Sequence, residues 1–139
     1  MVQPSEKPRN ACQVASILIV DDIAEWRARV REILEEQSEW QIVGEACDGF
    51  QAVQKATELH PDLVLLDIGM PVLNGLDAAA QIRRISTRSK IMFLTQEDDS
   101  DVRSAALAAG AHGYVLKINA ESELLTTIAA VLRNGHRPY

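Results

Sequence analysis

The chain has 139 residues, of which 47% are hydrophobic and 24% charged, and its formal net charge is −6. This length fits one globular domain that buries roughly two thirds of the surface of its unfolded chain. Because acids and bases are interspersed and the balance is acidic, the chain lacks the basic footprint that binds phosphate backbones. We therefore predict no nucleic-acid binding through this chain.

The amino-terminal segment and the two cysteines carry no targeting or metal-binding signal. Residues 1–15 hold two prolines and scattered charges but lack the apolar core of a secretory signal, so we predict a short mobile tail. No apolar run approaches the roughly 18 residues that cross a bilayer. Cys12 and Cys47 match no CxxC spacing, which favours free thiols in a reducing compartment. We expect a soluble, cytoplasmic protein with no membrane partner.

Five short apolar runs alternate with five segments of helical pattern. The runs contain β-branched and long aliphatic residues in unbroken order, which is typical of strands buried on both faces. The predicted strands lie at 16–20, 40–46, 62–66, 90–94 and 113–116.

The helical segments repeat apolar residues every three or four positions. The fourth begins with acids and ends at Gly110, which suits the helix dipole and a glycine C-cap. Strand–helix alternation repeated five times predicts one α/β domain over 16–135, with a parallel sheet covered by helices on both sides. The predicted helices cover about 22–37, 49–59, 74–84, 99–110 and 121–135.

Chemically distinctive side chains stand at the ends of four predicted strands. The first strand ends in Asp21 and Asp22, the third in Asp67, the fourth in Thr95 and the fifth in Lys117. In open parallel sheets, ligands bind beyond the carboxyl ends of the strands, near the point where the strand order reverses. We therefore expect these five side chains to be directed at one edge of the sheet.

Carboxylates crowded at such an edge repel one another. Two of them about 4 Å apart in a partly screened pocket repel by roughly 4 kcal/mol, and a divalent cation removes this repulsion. Hard oxygen ligands suit Mg²⁺, which often binds substrate phosphate as well. With the metal and Lys117 neutralising charge, Asp67 can act as a nucleophile toward a phosphoryl group, and Thr95 can donate a hydrogen bond to a phosphoryl oxygen.

The motifs ILIVDD, LVLLDIGMPVLNGLDA, IMFLT and GAHGYVLK, in this order, resemble the receiver domain of two-component response regulators over roughly residues 15–135. The resemblance implies a flavodoxin-like, doubly wound sheet of order 2-1-3-4-5 and a sensor histidine kinase as partner. It also implies a role for each matching residue: Asp67 as phosphoacceptor, Asp21 and Asp22 as the metal-binding acids, Gly69 as a metal ligand through its backbone carbonyl, Thr95 and Tyr114 as switch residues, and Lys117 as the site lysine.

One position departs from the common receiver pattern. Many receivers follow the site lysine with a cis proline, whereas Lys117 is followed by Ile118, where no cis bond is expected. The segment LKINAESELLTTIAAVLRNG resembles the receivers that precede a LuxR-type helix-turn-helix, so residues 136–139 are interpreted as a tail or the start of a linker. The implied output is transcription through a DNA-binding domain absent from this chain. The alternative is a stand-alone regulator that acts by protein–protein binding, and a homodimer is possible in either case.

Simpler interpretations compete with each of these roles. Asp21 and Asp22 are also favoured at helix N-caps, and Asp22 can serve as both cap and ligand. Tyr114 can be half-buried packing with a wet hydroxyl. The histidines show no ligand spacing, which disfavours metal or catalytic roles for His60, His112 and His136.

Two other function classes are disfavoured by single positions. Aspartyl-phosphate phosphatases carry a second acid two residues after the nucleophile, where this chain has Gly69. Nucleotide and flavin binders follow the first strand with a glycine-rich or hydroxyl-rich loop, whereas DDIAEW is acidic and free of glycine. We expect a phosphoacceptor switch that catalyses only its own phosphorylation and slow dephosphorylation, rather than an enzyme acting on an outside substrate.

Overall fold

A computed structural model describes residues 14–134 of the chain. Most of the predicted tail, including Cys12, lies outside the described residues. Residues 136–139, which include His136, also lie outside them. Five strands and five helices alternate, and a short 3-10 turn, Lys117–Asn119, precedes the last helix. The strands are β1 Ala15–Val20, β2 Trp40–Ala46, β3 Leu63–Leu66, β4 Lys90–Thr95 and β5 Gly113–Leu116. The helices are α1 Ala24–Leu34, α2 Gly49–Leu59, α3 Gly75–Ile85, α4 Ser100–Ala108 and α5 Ala120–Asn134.

The five strands form one parallel sheet in the order β2-β1-β3-β4-β5. This confirms the predicted doubly wound, flavodoxin-like architecture. The order reverses between β1 and β3, so the carboxyl ends of these neighbouring strands border the crevice in which such sheets bind ligands.

Both faces of the sheet are buried, which explains the unbroken apolar runs of the sequence. Leu18 and Val20 of β1 pack into a core beneath α2, α3 and α4, whereas Ile17 and Ile19 pack into a second core beneath α1 and α5. All four side chains are at most 2% exposed. Two-sided burial holds β1 in one register and thereby fixes where its carboxyl end lies.

Side-chain caps set the starts of three helices. Asp48, Asn74 and Asp99 each accept a backbone N–H of the following first turn, at 2.7–2.9 Å. The expectation that Asp22 caps the first helix is wrong, because α1 begins at Ala24 after an N-cap position at Ile23 that makes no side-chain hydrogen bond. The N–H of Ile23 is instead accepted by Asp21 Oδ1 at 2.9 Å.

Gly75 brings α3 against the backbone at the end of β3. A Cβ atom at this position would lie 2.0 Å from the carbonyl oxygen of Asp67, so no other residue fits without moving that backbone. The N–H of Gly75 also donates to the Ile68 carbonyl at 2.7 Å. The start of α3 therefore fixes the main chain that carries the Asp67 carboxylate.

The loop between β3 and α3 contains a strained residue. Val72 has a φ of 71°, in the left-handed region that β-branched residues avoid, and its side chain is 79% exposed. The N–H of Leu73 donates to the Pro71 carbonyl at 2.7 Å across it, which is the hydrogen bond of a tight three-residue turn. Since Val72 makes no core contact that compensates for this conformation, the residue lowers the stability of the domain.

We expect Val72→Gly to raise the free energy of unfolding by about 0.5–1 kcal/mol, after allowance for the larger unfolded-state freedom of glycine. Urea unfolding of the purified protein measures the change. Val72→Ala is the matched control, because it removes the exposed apolar surface but keeps a Cβ atom at positive φ. A glycine variant no more stable than the alanine variant would show that the turn is not strained.

Candidate acidic site at the carboxyl edge of the sheet

Three carboxylates converge where β1 and β3 end. Asp21, Asp22 and Asp67 each place one carboxylate oxygen within 4.8 Å of the others. Asp21 and Asp67 are 4% and 6% exposed, whereas Asp22 is exposed to solvent. The N–H of Asp67 donates to the Val20 carbonyl at 3.1 Å, which ties the ends of the two strands together.

Lys117 contacts two of these acids. Its Nζ lies 2.8 Å from Asp21 Oδ2 and 3.1 Å from Asp67 Oδ2, and its side chain is 5% exposed. The ammonium also lies 5.0 Å from the centre of the Trp26 ring, which Trp26 supplies from α1. A buried ammonium thus bridges the first and third strands and packs against an aromatic face.

Burial, and to a lesser extent a neighbouring acid, disfavour the ionised form of Asp21. Burial raises the pKa of Asp21 above its usual value, although hydrogen bonds from Lys117 and from the Ile23 N–H act in the opposite direction. The negative charge of Asp67 raises the pKa of Asp21 further. The folded domain therefore gains stability when Asp21 is protonated and loses it as the pH rises through the raised pKa, unless more positive charge enters the pocket.

Thr95 and Tyr114 meet at the main chain of Glu97. Thr95 is 1% exposed at the end of β4, and its Oγ1 accepts the Glu97 N–H at 3.3 Å. The Tyr114 hydroxyl donates to the Glu97 carbonyl at 2.9 Å. The ring of Tyr114 lies between Phe93, at 6.3 Å between ring centres, and the Arg103 guanidinium, at 4.5 Å. One backbone residue therefore links the two predicted switch side chains.

Gly69 is exposed to solvent and follows Asp67 by two residues. A Cβ atom there would meet nothing within 4 Å, so packing does not require a glycine. The peptide bond after Lys117 is trans, and so are the other peptide bonds of the described residues. The structure thus brings Asp21, Asp22, Asp67 and Lys117 together. Thr95 ends β4 at the same edge of the sheet, whereas Tyr114 lies within β5 and is joined to Thr95 only through Glu97.

Arg27 is a contact of the site that sequence patterns did not reveal. Its Nη1 donates to the main-chain carbonyl of Asp21 at 2.7 Å, and its Nε donates to Glu45 Oε1 at 2.9 Å. The only local signal is that Arg27 and Arg31 stand one helical turn apart, and Glu45 accepts from both. Glu45 lies 18 positions after Arg27 and 14 positions after Arg31, so helix periodicity alone does not identify it as their shared acceptor.

Residues 17–129 match the family model of the response regulator receiver domain. The chain belongs to this family. Receiver domains are phosphoacceptor switches that bind Mg²⁺ in an acidic pocket and interact with histidine kinases and phosphotransfer partners. Within residues 14–134 of this receiver, no helix combines the length and apolar character needed to span a bilayer.

Several characterised receivers resemble this one. It is 36% identical to the chemotaxis protein CheY of Halobacterium salinarum, over 84% of this chain and 95% of CheY. It is 34% identical to the nitrate/nitrite response regulator NarL of Escherichia coli, over 82% of this chain and 53% of NarL, so the chain spans about half the length of that relative. A crystal structure of a LuxR-family response regulator from Aurantimonas has a TM-score of 0.83 and 32% identity, over 88% of this chain and 87% of the other.

The donor set of this receiver fits Mg²⁺. Three carboxylates from two strand ends offer oxygen atoms within 4.8 Å of one another, and hard oxygen ligands with room for water are what this ion requires. The exposed position of Asp22 leaves one side of the pocket open to water.

We expect Asp22→Asn to raise the melting temperature of the metal-free protein, because it removes one of three crowded like charges, a change of about 1 kcal/mol at water-like screening. Saturating Mg²⁺ should stabilise the parent protein more than this variant. Thermal unfolding in EDTA and in Mg²⁺ measures both effects.

The matched control is Glu32→Gln, which removes the same charge from an exposed position of α1. This control should respond to Mg²⁺ as the parent does. An Asp22→Asn protein with the full Mg²⁺-dependent gain would exclude Asp22 as a ligand.

Proposed function

We propose that this receiver accepts a phosphoryl group on Asp67 from the phosphorylated histidine of a sensor kinase and changes conformation to control an output. The observation that supports the proposal best is the buried contact of Lys117 Nζ with Asp21 Oδ2 and Asp67 Oδ2, at 2.8 and 3.1 Å. Buried charges of this kind contribute little to stability, since desolvation offsets their attraction. Their arrangement suits a site that takes up a further anionic group together with a cation.

The proposed reaction forms one bond and breaks another. A carboxylate oxygen of Asp67 attacks phosphorus, an acyl-phosphate O–P bond forms, and the P–N bond to the kinase histidine breaks. The imidazole leaves with the electron pair of that bond. The Ile68 N–H, which donates to Asp67 Oδ1 at 2.7 Å, fixes the orientation of the carboxylate, and Lys117 neutralises charge beside it.

A magnesium ion, when bound, supplies further charge neutralisation for the phosphoryl oxygens. Asp21, Asp22 and Asp67 would hold it through their carboxylates and Gly69 through its backbone carbonyl. The raised pKa of Asp21 is consistent with this assignment, because burial and, to a lesser extent, the charge of Asp67 disfavour its ionised form, which a bound cation would stabilise.

Thr95 and Tyr114 are the proposed switch residues. The Thr95 oxygen accepts the Glu97 N–H, so its own hydroxyl hydrogen is available to a phosphoryl oxygen on Asp67. A shift of Thr95 toward that group moves Glu97, whose carbonyl holds the Tyr114 hydroxyl. The change at Asp67 thereby reaches the surface formed by α4, β5 and α5.

The chain is proposed to modify only itself. A phosphatase that acts on outside substrates needs a general acid near the nucleophile, and Gly69 offers no acidic side chain at the corresponding position. The phosphoryl group on Asp67 is then lost slowly to water.

The proposed output is transcription through a DNA-binding domain outside this chain, and the receiver itself does not bind DNA. NarL and the transcriptional regulatory protein LiaR of Bacillus subtilis support this output, at 34% and 36% identity. CheY, which matches over 95% of its length, supports the alternative of a stand-alone regulator that acts by protein binding. A cytoplasmic location and a homodimer remain part of the proposal, without an assigned dimer surface.

The first experiment is phosphorylation by a small phosphodonor with Mg²⁺, followed by intact-mass measurement. We expect the parent protein to gain the mass of one phosphoryl group and Asp67→Asn to gain none, because an amide is not a nucleophile of comparable strength. Asp77→Asn, which changes an exposed acid in the first turn of α3, is the matched control and should be labelled like the parent. Equal labelling of Asp67→Asn and the parent would refute the assignment.

The second experiment separates phosphorylation from switching. We expect Thr95→Ala to accept the phosphoryl group but to lose most of the phosphorylation-dependent change in amide hydrogen exchange of α4 and β5, because the link through Glu97 is gone. Thr95→Ser keeps the hydroxyl and should retain that change. If both variants respond as the parent does, Thr95 is not the switch residue.

A further inference from the structure

Two hydrogen bonds fix the guanidinium of Arg27 between β2 and the end of β1. Nη1 donates to the main-chain carbonyl of Asp21 at 2.7 Å, and Nε donates to Glu45 Oε1 at 2.9 Å. The side chain is only 19% exposed. Two separate acceptors determine the plane of the guanidinium, and a lysine ammonium offers no such fork of donors.

The carbonyl that Arg27 holds belongs to the peptide unit between Asp21 and Asp22. A peptide unit is planar, so the position of the Asp21 oxygen also determines the direction of the Asp22 N–H and of the bond to its Cα. The other polar groups of Asp21 are engaged as well, since its N–H donates to the Ala46 carbonyl at 3.1 Å and its Oδ1 accepts from the Ile23 N–H at 2.9 Å. The hydrogen bond from Arg27 to the Asp21 carbonyl adds a further restraint on the peptide unit between Asp21 and Asp22.

Asp22 depends on this restraint more than Asp21 does. Asp21 is buried and is held by Lys117, whereas Asp22 is exposed and sits before a helix whose start has no side-chain cap. The main chain therefore sets the direction of the Asp22 Cα–Cβ bond, from which the carboxylate reaches toward the other two acids. The hydrogen bond from Arg27 to the Asp21 carbonyl holds this main chain in place.

Glu45 holds Arg27 in place. It accepts from Arg27 Nε on one oxygen and from Arg31 on the other, with Arg31 Nη2 at 2.6 Å. These two arginines lower the pKa of Glu45, so its carboxylate is ionised throughout the neutral range. Arg31 shares Glu45 with Arg27, but the acceptor of its hydrogen bonds is Glu45 and not the Asp21 carbonyl.

We propose that Arg27 is a positioning residue of the acidic site, which holds the Asp21–Asp22 peptide so that the Asp22 carboxylate meets those of Asp21 and Asp67 around a divalent cation. This inference rests on the proposed function, because it assumes that the three acids bind Mg²⁺. Residues that orient metal ligands from behind typically change metal affinity by 10- to 100-fold when they are replaced.

The test is a Mg²⁺ titration followed by amide chemical shifts in ¹H–¹⁵N spectra, which yields a dissociation constant without any phosphorylation. We expect Arg27→Ala to raise the dissociation constant by about 10-fold and to shift the Asp22 amide resonance of the metal-free protein. Arg27→Lys should recover little of the affinity, because one ammonium does not replace the two-point contact.

Arg31→Ala is the matched control. It removes an arginine of the same helix that pairs with the same carboxylate, so its melting temperature should fall about as much as that of Arg27→Ala. Its dissociation constant for Mg²⁺ should stay within about two-fold of the parent, well below the change typical of residues that orient metal ligands. The paired melting temperatures and dissociation constants separate a loss of helix packing from a loss of ligand orientation.

The outcomes distinguish the two proposals. If the parent shows no Mg²⁺-dependent shifts at Asp22 and Asp67, the proposed function fails. If the parent binds Mg²⁺ and Arg27→Ala binds it equally well, or if Arg27→Ala and Arg31→Ala lose affinity equally, only the positioning role of Arg27 is overturned.

Discussion

The contact on which the site depends is the buried ammonium of Lys117 between Asp21 and Asp67. Removing three charged groups from water has a desolvation penalty that their attraction at best offsets, so apolar residues in the same places would make the domain at least as stable. Burial raises the pKa of Asp21 and the nearby charge of Asp67 raises it further, so the ionised form of Asp21 is disfavoured at this position. The small stabilising value of such a pocket supports the proposal that it binds a cation and an anion.

The sheet topology brings these groups together in a definite spatial order. Asp21, Asp67 and Thr95 follow β1, β3 and β4, which are neighbours in the sheet, and Lys117 follows the edge strand β5. Neighbouring strands lie about 4.8 Å apart, so β5 is about 14 Å from β1. Lys117 begins the 3-10 turn that follows β5, its Nζ reaches Asp21 and Asp67, and the Trp26 ring of α1 lies 5.0 Å from the ammonium. The lysine thus connects strands that do not pair.

Sequence patterns predicted the elements that obey periodicity and burial. The unbroken apolar runs gave the five strands to within about one residue, because both faces of each strand are buried. The first helix was predicted too long, since apolar spacing extends beyond the residues with helical hydrogen bonds and Ile23 precedes α1. The positive φ of Val72 was not predicted, because β-branched residues rarely adopt this conformation. Arg27 and Glu45 meet through tertiary packing, and no local pattern encodes a contact between a helix and a strand 18 positions apart.

The way α4 is held supports the proposed transmission of a small change from the pocket to the surface. Only Ala106 of α4 is buried, and Leu107 is 55% exposed, so little apolar burial keeps this helix in place. Polar contacts hold it instead: Arg103 stacks on the Tyr114 ring, and Arg83 of α3 donates to the Ala109 carbonyl at 3.2 Å. Contacts of this kind contribute about 1 kcal/mol each to stability. The proposed hydrogen bond from Thr95 to a phosphoryl oxygen would supply a similar free energy. A helix bound by a large apolar face would not respond to so small a change, so the weak apolar attachment of α4 supports the proposed route through Glu97 and Tyr114.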